Sequence, residues 1–273
     1  MKLSKLKLLR IEPIEVKEFR FNEKTLKEEE MTIYSVRHIT MKDIDNISEE
    51  LYQKYLNILL FDKSDIYEED FSNDITEFEI TITNIIYNEE FKDNVLSALS
   101  FFLNESVNFF YNNEYVFLYI GKPEDGRYIS KEHYFKIREI VKQLNCIDKN
   151  TKKKPKAGNK IAEEFMKEME ALKNKYKKVT EDKNVITMGD LVSALVWRGN
   201  KSYDDVLNFT VYRLYDGLNQ INTIDNYVFT MNGVYAGTID TSKMKSKFEK
   251  LNWIKDQSER NYENTNWIEG QPN

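Results

Sequence analysis

The sequence predicts an α+β fold, predominantly α-helical, with a smaller antiparallel β portion in the N-terminal half. Three observations carry this expectation. Apolar residues recur at spacings of three and four along several stretches. The clearest is Ser202–Ile221, where Leu207, Val211, Leu214, Leu218 and Ile221 form one stripe. Runs rich in β-branched and aromatic residues, MTIYSVR (31–37) and VNFFYNNEYVFLYIG (107–121), mark strands. Nine glycines and four prolines in 273 residues leave few tight turns and long regular elements.

Taken in order, residues 1–37 read as extended. Ile14, Val16, Phe19 and Phe21 lead into the polar stretch 22–30, and MTIYSVR returns as the second arm of a hairpin. Thr40 with Asp43 is a capping-box helix start. SEELYQKYLNILLF (48–61) is a helix with Leu51, Tyr55, Ile58 and Phe61 on one face. The acidic stretch from Asp65 to Glu79 lacks the central glycine and ligand spacing of a calcium loop, and reads as a solvated loop or helix face. FEITITNII (78–86) fits either a strand or a helix. Residues 88–106 form a helix with Phe91, Val95, Leu99 and Phe102 in register. A hairpin then turns at Asn112–Asn113. KPEDG (122–126) is a further turn, and 127–145 is a helix with Tyr134, Ile137, Val141 and Leu144 inward.

At Lys149 the composition changes. The Lys-rich, Pro- and Gly-containing segment 149–160 has no apolar periodicity and reads as a linker. It divides an N-terminal α+β part, 1–148, from a C-terminal helical part, 161–256, with a polar tail at 257–273. The C-terminal part opens on a helix with Ile161, Phe165, Met169, Leu172 and Tyr176 on one side. Thr187 with Asp190 starts another, which Gly199 ends. The Ser202–Ile221 helix follows, with Ser202 and Asp205 as its capping pair. Two short helices come after it, one with Tyr227, Met231 and Val234, the other with Met244, Phe248 and Leu251.

The net charge of −6 disfavours a general binder of nucleic acid or anionic membrane, which would be basic overall. The single cysteine, Cys146, permits neither an intrachain disulfide nor a thiolate metal site, and suits a reducing cytosol. The N-terminus builds no signal-peptide apolar core, and no segment approaches the roughly 20 apolar residues of a membrane span. The expected location is the cytoplasm.

Reaction chemistry finds no foothold. His38 and His133 lie outside any metal-ligand spacing, and His133, in the first turn of its helix, reads as a surface or capping residue. Cys146 reads as a half-buried structural thiol. No phosphate-loop, dinucleotide or nucleophile-elbow motif occurs. The basic block 149–178 is diluted by Glu163, Glu164, Glu168 and Glu170 and reads as solvated. No catalytic residue, cofactor or metal is therefore assigned, and the chain is expected not to be an enzyme. Of the tryptophans, Trp197 closes a Leu- and Val-rich helix and is expected in the core, and Trp253 is expected to cap it. Trp267, in a polar tail, is either a partner anchor or an idle residue.

Three pieces together resemble a known group. They are YDDVLNFTVYRLYDGLNQINTIDNYVFTMNGVYAGTI (203–239), KLNWIKD (250–256), and the upstream LSALSFFLNESVNFF and REIVKQLNCID segments. The chain resembles tail-morphogenesis proteins of tailed bacteriophages that infect Gram-positive bacteria, over residues 85–256. The resemblance implies a tail assembly chaperone that binds the tape measure protein and recruits tail-tube subunits in the host cytoplasm. It also implies self-association, and neither reaction nor cofactor. The alternative is a structural virion component, a tail, baseplate or head–tail connector subunit. Tyr212, Tyr215, Trp253 and Trp267 are the partner-binding residues to test, with Tyr212 and Tyr215 open to a second reading as core edge.

Overall fold

The computed structural model describes residues 2–22, 26–63, 75–112, 115–147 and 186–239. The linker at 149–160, the helix placed at 161–176, the Met244–Leu251 helix and the tail at 257–273 lie outside these residues, as do most of the acidic stretch, Trp253 and Trp267.

Where an extended start was expected, a short helix α1 (Lys5–Leu9) comes first, capped by Ser4 and burying Leu8. It is pinned by long-range contacts invisible to local pattern. Leu3 N–H donates to Gln143 Oε1 at 2.7 Å, Arg213 Nε donates to the Leu9 carbonyl at 2.6 Å, and Lys5 pairs with Asp216 at 2.8 Å. The predicted hairpin is present as β1 (Ile14–Asn22) and β2 (Lys27–Val36), antiparallel, with a bulge at Val16/Lys17. The bulge divides it. Ile14, Val16, Ile33, Tyr34 and Val36 are buried, whereas Phe19, Lys27–Glu30 and Met31 are exposed on an outer arm.

Helices α2 (Met41–Ile47) and α3 (Glu49–Leu60) follow, the first with the full Thr40–Asp43 capping box. The buried stripe of α3 is Tyr52, Leu56 and Leu59, one position on from the predicted Leu51, Tyr55, Ile58 and Phe61, which are only partly buried. The predicted set is also apolar at helical spacing, so periodicity alone does not separate the two. Tyr52 is chosen because its hydroxyl donates to the buried Asn145 side chain.

The ambiguous FEITITNII segment is helical. Helix α4 (Glu77–Tyr87) opens on a Thr76–Glu79 capping box, and Thr81 and Thr83 turn their hydroxyls back to carbonyls four residues earlier. Helix α5 (Glu89–Leu103) buries Val95, Leu99 and Phe102 as expected and ends on Asn104 in the left-handed region (φ 54°). A second sheet follows, with strands β3 (Val107–Tyr111), β4 (Val116–Ile120) and β5 (Tyr128–Ile129) in that spatial order, all antiparallel. Asn112, expected in the β3–β4 turn, instead exchanges backbone hydrogen bonds with Tyr115 and so extends the ladder, while Asn113 lies outside the described residues.

Helix α6 (Lys131–Leu144) is the hub. Tyr134, Ile137, Ile140 and Val141 are fully buried, and the helix touches α3, α4, β2 and β5. The C-terminal elements are α7 (Met188–Gly199), α8 (Tyr203–Leu207) and α9 (Val211–Tyr235), the last also packing on α6. One apolar cluster runs from Leu3 through α6 to Leu214, so residues on both sides of position 149 share a core.

The predicted Ser202–Ile221 helix is therefore two helices. It stops after Leu207 and restarts at Val211, with Thr210 as the new N-cap. The cause is tertiary. Residues 209–211 pair with 39–41, Met41 N–H donating to the Phe209 carbonyl and Val211 N–H to the Ile39 carbonyl, both at 2.9 Å. The apolar stripe survives the break, with Val211 and Leu214 buried and Leu207, Leu218 and Ile221 partly so. Past Ile221, α9 continues unbroken to Tyr235 and absorbs the first of the two short helices expected there. The left-handed residue that ends α7 is Asn200 (φ 51°), with Gly199 still inside the helix.

Candidate protein-binding surfaces

Among the described residues, two surfaces group large apolar side chains in the open. The first belongs to α7 and α9. The two helices meet closely where Gly217 faces Leu195, since a Cβ at Gly217 would lie 3.2 Å from Leu195 Cδ1. Further along, the Arg198 guanidinium grips both carboxylate oxygens of Asp225, which holds the Asp225 carboxyl below its ordinary range. Val192, Leu195 and Val196 use up the inward face of α7. Trp197 is consequently turned outward and is 81% exposed, contrary to the core position expected from its Leu- and Val-rich helix. The far half of α9 adds Ile224, Val228, Phe229 and Tyr235, all exposed. Ile224 and Val228 are one turn apart, and Tyr235 returns to the same side two turns later. The helix ends in a Gly237 (φ 70°) reversal that lays Ile239 on Gly233, where a Cβ would come within 2.5 Å of Ile239 Cδ1.

The second surface is the outer face of the three-stranded sheet. Its inner face, Val107, Leu118, Ile120 and Ile129, is buried. Strand alternation then sends Asn108, Phe110, Phe117, Tyr119 and Tyr128 to the other side. Register lines them up, Phe110 with Phe117 and Tyr119 with both Asn108 and Tyr128. Phe110 and Phe117 stack at 4.9 Å between centroids, and Tyr128 meets Phe117 edge-on at 5.2 Å. The hairpin was legible in the sequence, but this face was not. The signal was in the alternation of aromatics along 108–110 and 117–119, whose outward sense only the packing against α5 and α6 decides.

The tyrosines expected to bind a partner, and the polar groups weighed for chemistry and set aside, fall elsewhere. Tyr212 and Tyr215 are partly buried and packed against the core, and burial pushes the Tyr215 hydroxyl up. His133 caps α6 as expected, yet it is buried. Its Nε2 lies 2.6 Å from Glu18 Oε1, its Nδ1 faces the Tyr128 carbonyl, and Tyr34 packs edge-on to the ring at 5.4 Å. It clasps the hairpin to α6. His38 is buried with neither ring nitrogen partnered. Arg138, 3% exposed, lies over Phe61, Tyr134 and Phe135 and donates to the Phe61 carbonyl. Cys146 is half-buried at the end of α6. Among the described residues, no group of three or more His, Cys, Asp or Glu is placed to hold a metal ion, and no helix is long and apolar enough to cross a membrane.

Residues 175–257 match the family model described as the second domain of YomV, a phage-derived family. The matched stretch contains α7, α8 and α9, and with them Trp197 and the exposed row of α9. This likeness supports a phage protein in general. No curated protein matches the chain, and no solved structure does.

Proposed function

We propose that the chain is a non-enzymatic assembly protein of a tailed bacteriophage, a chaperone that engages the tape measure protein and tail-tube subunits in the host cytoplasm while the tail is built. The observation that carries this reading is the exposed apolar row Ile224, Val228 and Tyr235 on α9, with Phe229 exposed on the flank beside it, within the stretch that resembles the phage family. Large apolar side chains grouped on one helical element mark a surface that another protein covers. An amphipathic client helix is the partner that such a row fits, with anchors one turn apart. Binding of this kind asks for no reacting group, and the residues described above supply stacking, capping and packing.

The test is recovery of the tagged chain from infected cells. A long helical tape-measure-like protein should co-purify, and Val228→Asp with Phe229→Asp should abolish its recovery while leaving the fold intact. Mass spectrometry of purified particles decides between this reading and the structural one. A chaperone is absent from finished virions, whereas a tail, baseplate or connector subunit is present in fixed copy number. Co-purification of the native chain with enzymes or nucleic acid alone would overturn both.

A further inference from the structure

We infer that strand β3 is a pairing edge for a second copy of this chain, the two copies joining antiparallel about Phe110 into a continuous six-stranded sheet. The inference is independent of any tail role and begins with hydrogen-bond phase. Asn112 and Tyr115 exchange backbone bonds, and Gly121 N–H donates to the Ser106 carbonyl at 2.8 Å. With the register of the pair, these bonds turn the peptide groups of residues 106, 108, 110 and 112 toward β4. Those of 107, 109 and 111 face away. On that outer side Val107 N–H is already satisfied, donating to Ser100 Oγ at 2.9 Å. The sheet order puts no strand beyond β3 among the described residues. Among the described residues, no backbone partner faces the N–H and C=O groups of Phe109 and Tyr111.

This open set is its own complement. A two-fold axis through Phe110 sets Phe109 of one copy opposite Tyr111 of the other, twice, and so gives four backbone hydrogen bonds without calling on Val107. Phe110 then meets its own counterpart in the closely spaced, non-hydrogen-bonded position, at about 4.5 Å between Cα atoms. The stacked Phe117–Phe110 pair would continue across the axis into the other copy's pair, and the exposed aromatic face would double in length. A strand of unrelated sequence would fill the same hydrogen bonds but end that row.

From Asn108 to Tyr111 the edge also lacks the charges, proline and bulge that keep edges apart. β3 reads VNFFY, with no charge, no proline and an unbroken register. The outer arm of the other sheet is the contrast, with Lys17, Glu18 and Glu28 to Glu30 along it and a bulge at its base. The chain's net charge of −6 is therefore kept off the one strand where two copies would meet. A strand of five residues buries less than the ~1,200 Å² of a standard stable interface, so the pairing is concentration-dependent.

Sedimentation equilibrium of the full chain from about 1 to 200 μM tests this. The weight-average mass should rise toward twice the monomer. Phe110→Lys, which sets like charges face to face at the axis, should hold the chain monomeric with an unchanged circular dichroism spectrum, while loss of the Phe117 stack lowers its melting temperature only modestly. Register is tested in a Cys146→Ser background. Phe110→Cys should cross-link to itself under mild oxidation, and Tyr111→Cys, which faces position 109 of the other copy, should not. A monomer at every concentration, a dimer indifferent to Phe110→Lys, or cross-linking at position 111 instead of 110 would overturn the inference.

Discussion

Thr40 and Thr210 face one another across an isolated antiparallel bridge, and each is the N-cap of the helix that follows it. The bridge ties the chain before α2 to the chain before α9 through two backbone hydrogen bonds of 2.9 Å. Thr210 is the more vulnerable member, because it is buried and its hydroxyl accepts the Arg213 N–H at 3.2 Å. Thr210→Val keeps the shape and removes the acceptor. It should cost about 1–2 kcal/mol, the range of a lost threonine cap. Urea denaturation followed by far-UV circular dichroism measures it, and a loss below about 0.3 kcal/mol would mean that the cap is idle.

The same seam shows what the sequence could and could not disclose. Capping was legible, since Thr40–Asp43, Thr187–Asp190 and Ser202–Asp205 all form the reciprocal bonds that their spacing predicts. Such boxes are local, closed within four residues. The restart at Thr210 was not legible, because the partner that breaks the helix is the 39–41 segment far away in sequence. The α5 and α6 faces were read correctly, having one apolar stripe each. α3 offers two adjacent stripes, and a distant Asn145 selects the one bearing Tyr52. Trp197 was misplaced for a related reason: once Val192, Leu195 and Val196 fill the contact with α9, no inward position remains for it. The binding surfaces were the least legible feature. An exposed aromatic and a buried one look alike in a sequence, and only the assembled core tells Phe110 from Phe102.

Leu214 lies at the centre of the α9 contact and is 0% exposed. Leu214→Ala should cost about 2–5 kcal/mol, the lost transfer energy plus the cavity left behind. Leu214→Asp would bury a charge with no partner and should leave the chain unfolded or strip α9 from the body. Thermal melts of both variants check the order. An aspartate variant with wild-type melting would show that the stripe does not face the core.

His38 is a stability cost with a pH signature. Burial lowers its pKa below the ordinary 6.5, the nearby Arg213 charge adds to this, and neither ring nitrogen has a partner. The sign follows from linkage. As pH falls below 6.5 the unfolded chain takes up a proton at this site that the folded chain refuses, so the folded state loses ground. His38→Phe removes that loss and the unpaired nitrogens with it. The variant should match or exceed the wild type at pH 7.5, and its advantage should grow toward pH 5. Melting temperatures of the pair across that range test this, and His133, present in both, cancels. A parallel pair of curves would remove His38 as the source.

Glu79 reports on the opposite limb. Its carboxylate accepts the Thr76 N–H at 2.7 Å, the larger cause, and pairs with Lys131 at 3.1 Å, so its pKa falls from 4.5 to about 2. A lowered carboxyl pKa means stability that is full above 4.5 and is lost as pH drops through the folded value near 2. Glu79→Gln should therefore weaken the protein by a constant amount between pH 7 and pH 5. The deficit should shrink below pH 4.5 and vanish only below about pH 2, where the native residue is itself protonated. Salt separates the two causes. At 1 M NaCl the exposed Lys131 pair is screened, whereas the bond from Thr76 to the helix's own first turn persists. The deficit should thus fall only in part. Its complete loss in salt would make the Lys131 ion pair, rather than the Thr76 bond, the dominant cause of the shift.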